Sequence, residues 1–441
     1  MIKLREAANH ILLSAINAVK PDQLIRQKIG LQNDILTVED QQFDLDHYKR
    51  IYIIGAGKAS AVMAREMENM LGERIFYGVI SVKYGHGIAC RKLRILEAGH
   101  PVLDENGIQA TTQILQIARD AREDDLVLCL LSGGGSALLE NTPPGIELAD
   151  LQRVFNLLLS CGANIEEMNI VRRHLSMVKG GQLARAISPA TCINLILSDV
   201  IGDPLESIAS GPTAPDPSTF QDAWEIIGKY KLVEQLPTDI KEYLQKGLQS
   251  KIPDTLKQGD AVFNKVHNFI LGNNFGALKT AQKTAKDLGF NSIILSSRVQ
   301  GEAREVAKVA AAIAQEILGR SIPLPRPACV LIGGETTVTL RGQGKGGRNQ
   351  EFALSALIAM RNVDDNYLIA SCGTDGTDGP TDAAGGMVYP EIWKKIREHG
   401  LLPEKFLENN DAYPFLKQTG GLIKLGPTGT NVMDIILILI N

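Results

Sequence analysis

Long apolar runs are scarce in this chain of 441 residues, which argues against a membrane-spanning protein. The run 435–440 (IILILI) is far shorter than the roughly 20 apolar residues that a helix needs to cross a bilayer, so we predict a closing strand there. Near the N-terminus, charged residues interrupt the apolar ones, which predicts a helix rather than a signal peptide. The apolar residues that recur there at helical spacing are Leu4, Ile11, Leu12, Ile16 and Val19.

A surplus of one sign of charge is also missing. The chain has 46 Lys and Arg against 50 Asp and Glu, for a net charge of −4. This balance argues against a nucleic-acid or membrane-surface partner, while a local basic patch could still bind a small anion. A homo-oligomer is compatible with the sequence.

Paired cysteines are missing as well, because the six cysteines lie far apart and no C-x-x-C occurs. The spacing rules for zinc and redox sites are therefore not met, and buried thiols that behave as small hydrophobes are favoured. Such thiols fit a reducing compartment, so we expect a cytoplasmic protein.

Familiar catalytic motifs are lacking too: there is no HExxH, no GxSxG and no P-loop. The loop 55–60 (GAGKAS) nearly matches the dinucleotide-binding GxGxxG, but Ser60 takes the place of the third glycine. The second strand ends at Ser81, Val82 and Lys83, where a dinucleotide site would place a ribose-binding acid. These features argue against NAD, although Lys83 would suit NADP.

Short apolar runs alternate with helical patterns, which predicts an α/β protein with a parallel sheet covered on both faces. We expect two domains: an N-terminal doubly wound, Rossmann-like parallel sheet over 1–250, and a C-terminal α/β domain with a mixed sheet over 251–441. The predicted strands are 50–54, 77–82, 126–131, 193–197, 268–272, 291–296, 328–332, 336–341, 367–372 and 434–440. The predicted helices of the sheet regions are 58–70, 105–121, 275–288, 302–318 and 349–360.

Glycine is abundant, with 42 residues, and it clusters in loops that follow predicted strands. Ligands of parallel sheets bind outside the carboxyl ends of the strands, and glycine lets backbone N–H groups approach an anion. Several such loops together therefore predict a polyanionic ligand. They are 55–60, 132–136 (SGGGS), 333–335 (GGE), 342–348 (GQGKGGR) and 373–379 (GTDGTDG).

These loops also carry charged residues. Lys58, Lys345 and Arg348 can bind phosphate, although an exposed lysine without a partner is an ordinary alternative for Lys58. The acids on or near the loops suit Mg²⁺, yet each alone is more often a turn former or a helix cap. A basic helix over 169–180 could face a phosphate, but we favour a solvated face for it.

The loops, in this order, resemble those of the glycerate 2-kinase family, whose C-terminal part is the MOFRL domain, here about 328–435. The matching runs span most of the chain and are 55–60, 100–105 (HPVLDE), 131–137 (LSGGGSA), 198–203 (SDVIGD), 209–213 (ASGPT), 346–351 (GGRNQE), 373–384 (GTDGTDGPTDAA) and 426–431 (GPTGTN). The resemblance implies transfer of the ATP γ-phosphoryl group to the 2-hydroxyl of D-glycerate, with a divalent metal such as Mg²⁺. It also implies that Lys58 and Arg348 are the chief catalytic cations.

As a hypothesis, Lys58 and Arg348 bracket the transferring phosphoryl group in a cleft between the domains. Asp199 is a further catalytic candidate, either as a base or as a metal ligand, and the metal candidates are Asp199, Asp203 and Asp375. The residues expected to bind the cofactor are Gly55, Gly57, Ser132, Gly133, Gly134, Gly135, Ser136, Glu335, Lys345, Gly346, Gly347 and Asp375. An NAD(P)H-dependent hydroxypyruvate reductase is the alternative.

Overall fold

The computed structural model describes residues 4–441. Backbone contacts divide them into two compact units. We call Leu24–Leu271 the N-terminal unit, and the residues up to Gln23 together with Gly272–Asn441 the C-terminal unit.

The strands are β1 (Ile29–Gln32), β2 (Ile35–Val38), β3 (Gln41–Asp44), β4 (Arg50–Ala56), β5 (Ile75–Lys83), β6 (Leu93–Ala98), β7 (Asp125–Leu131), β8 (Thr191–Leu197), β9 (Val266–Gly272), β10 (Asn291–Val299), β11 (Ala328–Gly334), β12 (Tyr367–Gly373), β13 (Gly385–Val388), β14 (Leu422–Ile423) and β15 (Asp434–Ile440). The helices are α1 (Leu4–Ala18), α2 (Pro21–Lys28), α3 (Ser60–Leu71), α4 (Glu105–Asp120), α5 (Gly135–Leu138), α6 (Leu148–Ser160), α7 (Ile165–His174), α8 (Gln182–Ile187), α9 (Phe220–Lys229), α10 (Thr238–Leu248), α11 (Asn274–Asp287), α12 (Ala303–Arg320), α13 (Arg348–Ala359), α14 (Ile392–His399), α15 (Pro403–Glu408) and α16 (Ala412–Thr419).

The N-terminal unit is built on a six-stranded sheet in the order β6-β5-β4-β7-β8-β9. The pairs from β6 to β8 are all parallel, and every residue of β7 is buried, as a strand covered on both faces requires. In chain order this is the 3-2-1-4-5-6 arrangement of a doubly wound sheet, with its switch point between β4 and β7. The predicted Rossmann-like fold is confirmed.

A helical layer extends the N-terminal unit away from the sheet. Helices α6, α7, α9 and α10 share an apolar core of their own, to which Leu151, Val171, Ile227 and Leu244 contribute. The short strands β1–β3 form a separate antiparallel sheet. Helix α7 therefore packs one of its faces, which includes Val171, into this core.

The C-terminal unit contains a mixed six-stranded sheet in the order β10-β11-β15-β12-β13-β14, as predicted. Strands β10 and β11 are parallel, whereas β15 runs antiparallel to both of its neighbours, β11 and β12. All seven residues of β15 are buried, so the run 435–440 is a central strand of this sheet. The amino end of β15 consequently lies at the same edge as the carboxyl ends of β11 and β12.

The units divide the chain differently from the ranges 1–250 and 251–441 expected from the sequence. Helix α1 packs against α11, β12 and β15 because its apolar face needs cover, and it therefore belongs to the C-terminal unit. Strand β9 is the neighbour of β8, and Asn194 donates to Asn268 across that edge at 2.9 Å. Where the independently folding domains begin and end stays a prediction.

One predicted strand, 336–341, is wrong. Only Thr337 forms an isolated bridge there, and Leu340 is exposed. The segment pairs with side chains instead, since the Asn410 Oδ1 accepts from the amides of Arg341 and Gly342 at 2.7 and 3.0 Å. Alternating apolar residues therefore do not form a strand here, and the backbone amides of Arg341 and Gly342 bond to a side chain instead of a neighbouring strand.

Among residues 4–441, no helix is long and apolar enough to cross a membrane.

Candidate active site

Three loops of the N-terminal unit meet at the carboxyl ends of β4, β7 and β8, which are adjacent and parallel. The Lys58 N–H donates to the Gly133 carbonyl at 2.9 Å, and the Ser132 N–H donates to the Ala56 carbonyl at 3.2 Å. These bonds fix the backbone of Lys58 against the SGGGS loop. The structure thus brings together 55–60 and 132–136, as the rule for parallel sheets predicts.

Ser132 joins the two loops through its side chain. Its buried hydroxyl oxygen accepts from the Ala59 N–H at 3.1 Å and lies 2.9 Å from the Ser60 hydroxyl, which donates to the Leu130 carbonyl. Ser60, the residue that breaks the GxGxxG pattern, is therefore a structural part of this junction. Ser132 contributes order to the Lys58 turn, whatever contact it makes with a ligand.

Gly57 occupies the tightest position of the turn. Its φ is +138°, and a Cβ there would lie 2.2 Å from Ser132 Oγ and 2.5 Å from the Ser132 carbonyl oxygen. We expect Gly57→Ala to destabilise the protein by at least about 2 kcal/mol, because strained backbone and overpacking each cost about 1–3 kcal/mol. Gly400, at φ +61° in the left-handed helical region with open space around it, is the matched control, and Gly400→Ala should cost only about 1 kcal/mol. Chemical denaturation of both variants measures the difference, and equal losses would contradict the close approach.

Gly55 was expected in a loop that binds the cofactor, but the structure places it within a strand. It lies inside β4, and a Cβ on it would meet the Leu130 carbonyl oxygen of β7 at 2.1 Å. Gly55 therefore permits the two strands to approach closely, which in turn positions the Lys58 turn that follows.

An acid and a histidine lie beside Lys58. The Asp199 carboxylate packs against Gly133, where an added Cβ would lie 2.2 Å from its Oδ2. Burial raises the pKa of Asp199, and the positive charge of Lys58 opposes that shift. Burial, together with the charges of Lys58 and Lys83, lowers the pKa of His100 to about 4, so His100 is neutral at pH 7. The strand ends therefore hold a cation beside a carboxylate with raised proton affinity.

In the C-terminal unit, Arg348 is the first residue of α13 and forms a two-point ion pair with Asp434. Its Nε and Nη2 donate to the two Asp434 oxygens at 2.6 and 3.0 Å, and its Nη1 lies 3.1 Å from Glu335 Oε1. Burial works to lower the pKa of Arg348, but the hydrogen bond and the charge of Asp434 raise it overall. Arg348 is consequently a fixed cation, held by two carboxylates while about a third of its side chain is exposed.

Sequence reasoning missed Asp434. It begins β15 and stands opposite Gly334 of β11 and Gly373 of β12, at the loop edge of the sheet. Asn349 Nδ2 also donates to Asp434 Oδ1 at 3.0 Å. Burial raises the pKa of Asp434, and the hydrogen bonds from Arg348 and Asn349 oppose this. The sequence showed only an acid at the first position of the predicted strand 434–440, which does not indicate the edge that the acid reaches.

The N-terminus of α13 is occupied by Asp378 from the glycine loop after β12. The Asp378 carboxylate accepts from the Asn349 and Gln350 N–H groups at 3.1 and 2.9 Å. Burial raises the pKa of Asp378 to about 6, although the two amide bonds lower it. Gly347 leaves room for this contact, because a Cβ there would lie 2.3 Å from the Asp378 Cγ. Asp378 is therefore a helix cap from another loop.

The remaining charged candidates of this unit surround the same edge. Asp375 Oδ1 accepts from the Thr377 N–H at 2.9 Å, and both Asp375 and Asp434 lie close to Gly373. The Lys345 ammonium lies 5.0 Å from the centre of the Tyr413 ring, and the backbone N–H of Lys345 donates to Asp411 Oδ1 at 2.8 Å. Gly346 lies between Lys345 and this helix start.

The proposed metal ligands lie on both units' loops. Asp199 and Asp203 follow β8, and Asp203 has a φ of +59°, whereas Asp375 follows β12. Among residues 4–441, no group of three or more His, Cys, Asp or Glu side chains is placed to hold a metal ion. Carboxylates on glycine loops suit Mg²⁺, which commonly takes one or two of them and completes its shell with substrate phosphate oxygens and water.

Comparisons with known proteins identify the family of this chain. Residues 7–245 match the model of a domain of unknown function, DUF4147, and residues 328–434 match the MOFRL family. The chain is 42% identical to the glycerate 2-kinase of Pyrococcus horikoshii, over 99% of this chain and 97% of that protein. It is 41% identical to the D-glycerate 2-kinase of Thermotoga maritima, over 99% of this chain and 98% of that protein.

A solved structure supports the same family. The crystal structure of glycerate kinase from Thermotoga maritima matches with a TM-score of 0.88 at 40% identity, covering 99% of each chain. The resemblance inferred from the loops is confirmed, and the chain belongs to the glycerate 2-kinase family.

Proposed function

We propose that this chain is an ATP-dependent glycerate 2-kinase that phosphorylates the 2-hydroxyl of D-glycerate. The observation that carries the proposal is the pairing of a loop-borne cation with a buried carboxylate at a sheet edge of each unit. Lys58 lies near Asp199 in one unit, and Arg348 binds Asp434 in the other. The two full-length relatives named above support the same activity.

Phosphoryl transfer needs charge neutralisation and positioning more than covalent help from the protein. The 2-hydroxyl oxygen of glycerate forms a bond to the γ-phosphorus, the bond from that phosphorus to the oxygen of ADP breaks, and the hydroxyl proton leaves. Lys58 and Arg348 supply positive charge to the transferring group. Asp199 accepts the proton, because burial raises its affinity for one.

The glycine loops bind the nucleotide. In the N-terminal unit the backbone of Gly57 and Gly133–Gly135 and the Ser136 hydroxyl are the proposed contacts, with Ser132 holding the turn. In the C-terminal unit the contacts are Lys345, Gly346, Gly347 and Glu335. Because Asp378 already binds two amides of α13, a phosphate there would be held by side chains and loop amides rather than by the helix end.

Asp203 and Asp375 are the proposed Mg²⁺ ligands, with Asp199 as a third candidate that cannot serve as base and ligand at once. A bound Mg²⁺ supplies charge neutralisation of the phosphate oxygens. Asp375 suits this role because its carboxylate lies in a glycine loop beside the buried Asp434.

A coupled assay of ADP release tests the proposal. With ATP and Mg²⁺, we expect ADP to form with D-glycerate and not with the same mixture lacking glycerate. Removal of divalent ions with EDTA should reduce the rate at least about 100-fold, and added Mg²⁺ should restore it. Oxidation of NADPH by hydroxypyruvate, without formation of ADP from ATP in the presence of D-glycerate, would instead establish the reductase.

A further inference from the structure

The basic segment 169–180, which begins in α7, is mostly buried, so the solvated face expected for it from the sequence is wrong. Arg173, 4% exposed, pairs with the fully buried Asp216 at 2.9 Å. The ring of His174 lies 3.0 Å from Asp254, and Lys179, just beyond the helix, pairs with buried Glu140. Each of these three basic groups therefore has an acid of its own.

Arg172 is the exception in this series. Among residues 4–441 its guanidinium makes no hydrogen bond or ion pair, and its Nε is buried without a partner. It lies over the Phe155 ring at 5.0 Å, and burial lowers its pKa, opposed only by the charge of Glu140. The guanidinium is only partly buried, so an anion could reach it, and removing an unpaired cation from water even in part is costly. A guanidinium in this state is therefore suited to an anion from outside the chain.

Asn169 lies one helical turn before Arg172, so the two side chains share a face of α7. Its Oδ1 accepts from the buried Ser210 hydroxyl at 3.2 Å. The amide nitrogen makes no hydrogen bond to the part of the chain that the structure describes, which leaves a donor beside the unpaired guanidinium.

A short polar chain connects this face of α7 to the Lys58 loops. The Ser210 hydroxyl, which donates to Asn169, lies 3.0 Å from the Ser136 hydroxyl of the SGGGS loop. That loop binds the Lys58 backbone through the Gly133 carbonyl. Only the Ser210 and Ser136 hydroxyls and the SGGGS loop thus lie between the Asn169 side chain and the proposed phosphoryl site.

The backbone that presents Ser210 is strained. Ala209 and Ser210 have φ values of +50° and +59°, in a backbone region that residues other than glycine rarely adopt. Strain of this kind costs on the order of 1–3 kcal/mol per residue and is concentrated at functional sites. Here it holds the Ser210 hydroxyl between Ser136 and Asn169.

We propose that Arg172, with Asn169, binds the carboxylate of the glycerate substrate. This inference rests on the proposed function and adds a substrate subsite to it. A guanidinium binds a carboxylate through two parallel hydrogen bonds, which fixes the orientation of the acid and with it the position of the 2-hydroxyl. Arg172 is then a specificity residue, because a substrate without the carboxylate leaves the cation unpaired.

The test compares Arg172→Gln and Arg172→Lys with the wild-type enzyme on D-glycerate and on glyceramide, its uncharged amide. For Arg172→Gln we expect kcat/KM for D-glycerate to fall at least about 100-fold, the scale of losing one side of a buried charge pair, while the KM for ATP changes less than about twofold. The preference for glycerate over glyceramide should fall by a similar factor. Arg172→Lys, which keeps the charge but not the two-point geometry, should recover part of the loss.

Arg153→Gln is the matched control, because Arg153 is an exposed arginine of the neighbouring helix α6, and we expect it to behave as wild type. Asn169→Ser is the second variant should Arg172→Gln not fold, and its KM for D-glycerate should rise about tenfold with the KM for ATP unchanged.

Two results would overturn the inference while leaving the kinase intact. One is an unchanged preference for glycerate over glyceramide in the Arg172 variants. The other is a parallel rise of both KM values together with a fall in stability, which indicates a structural role. If the wild-type enzyme releases no ADP with D-glycerate, the proposed function fails first and the inference fails with it.

Discussion

Lys58→Ala is expected to lower the turnover number by at least about 100-fold, which is the scale of losing one preorganised electrostatic contact. The backbone of the turn is held by Gly133 and Ser132 rather than by the Lys58 side chain, so the fold should survive the truncation. Steady-state ADP release at saturating ATP and D-glycerate measures the effect, with stability checked by chemical denaturation.

Lys246→Ala provides the matched control. Lys246 lies on α10 of the same unit and is more than half exposed, and within residues 4–441 it forms one ion pair, a 3.6 Å surface contact with Glu242. Its removal should change neither turnover nor stability appreciably. A Lys58→Ala enzyme that turns over like the Lys246→Ala enzyme would exclude Lys58 from the reaction.

Arg348→Ala should produce two losses, one of turnover and one of stability. Turnover should fall at least about 100-fold, as for Lys58. Stability should fall by about 3 kcal/mol, because the truncation leaves Asp434 buried without its cation. This value lies at the lower end of the range for broken buried pairs, since a third of the Arg348 side chain is exposed.

The double variant Arg348→Ala/Asp434→Asn separates the two roles. Replacing the stranded carboxylate by a neutral amide should restore most of the lost stability, while turnover stays low because the cation is still missing. Arg397→Ala, an exposed arginine on α14 of the same unit, should affect neither quantity. Recovery of turnover together with stability would show that Arg348 acts only through the fold.

The N-terminal fold and half of the site could be predicted from the sequence because both depend on local signals. Strands β4, β7 and β8 are continuous apolar runs followed at once by glycine loops, and parallel pairing places their carboxyl ends at one edge. Once the strand order follows the doubly wound rule, Lys58 and the SGGGS loop have to meet.

Asp434 could not be found in the same way. The rule for parallel sheets directs attention to residues that follow strands, whereas Asp434 begins one. Only the antiparallel direction of β15, a long-range property of the sheet, places that amino end beside Gly334 and Gly373. A residue that begins a strand of unknown direction gives no local sign of which edge it reaches.

The ion-pair partners of the charged residues could not be predicted from the sequence either. Arg172, Arg173 and Lys179 look alike in the sequence, yet two of them are neutralised by Asp216 and Glu140 and one is not. These acids lie about 40 residues away along the chain, so only the fold decides which cation is left for a substrate.

Phosphorus NMR of the product of ATP and D-glycerate tests the central claim most directly. The proposed enzyme gives a phosphate ester on the secondary 2-hydroxyl, whose phosphorus couples to a single proton. A product phosphorylated on the primary 3-hydroxyl, whose phosphorus couples to two protons, would contradict the assignment.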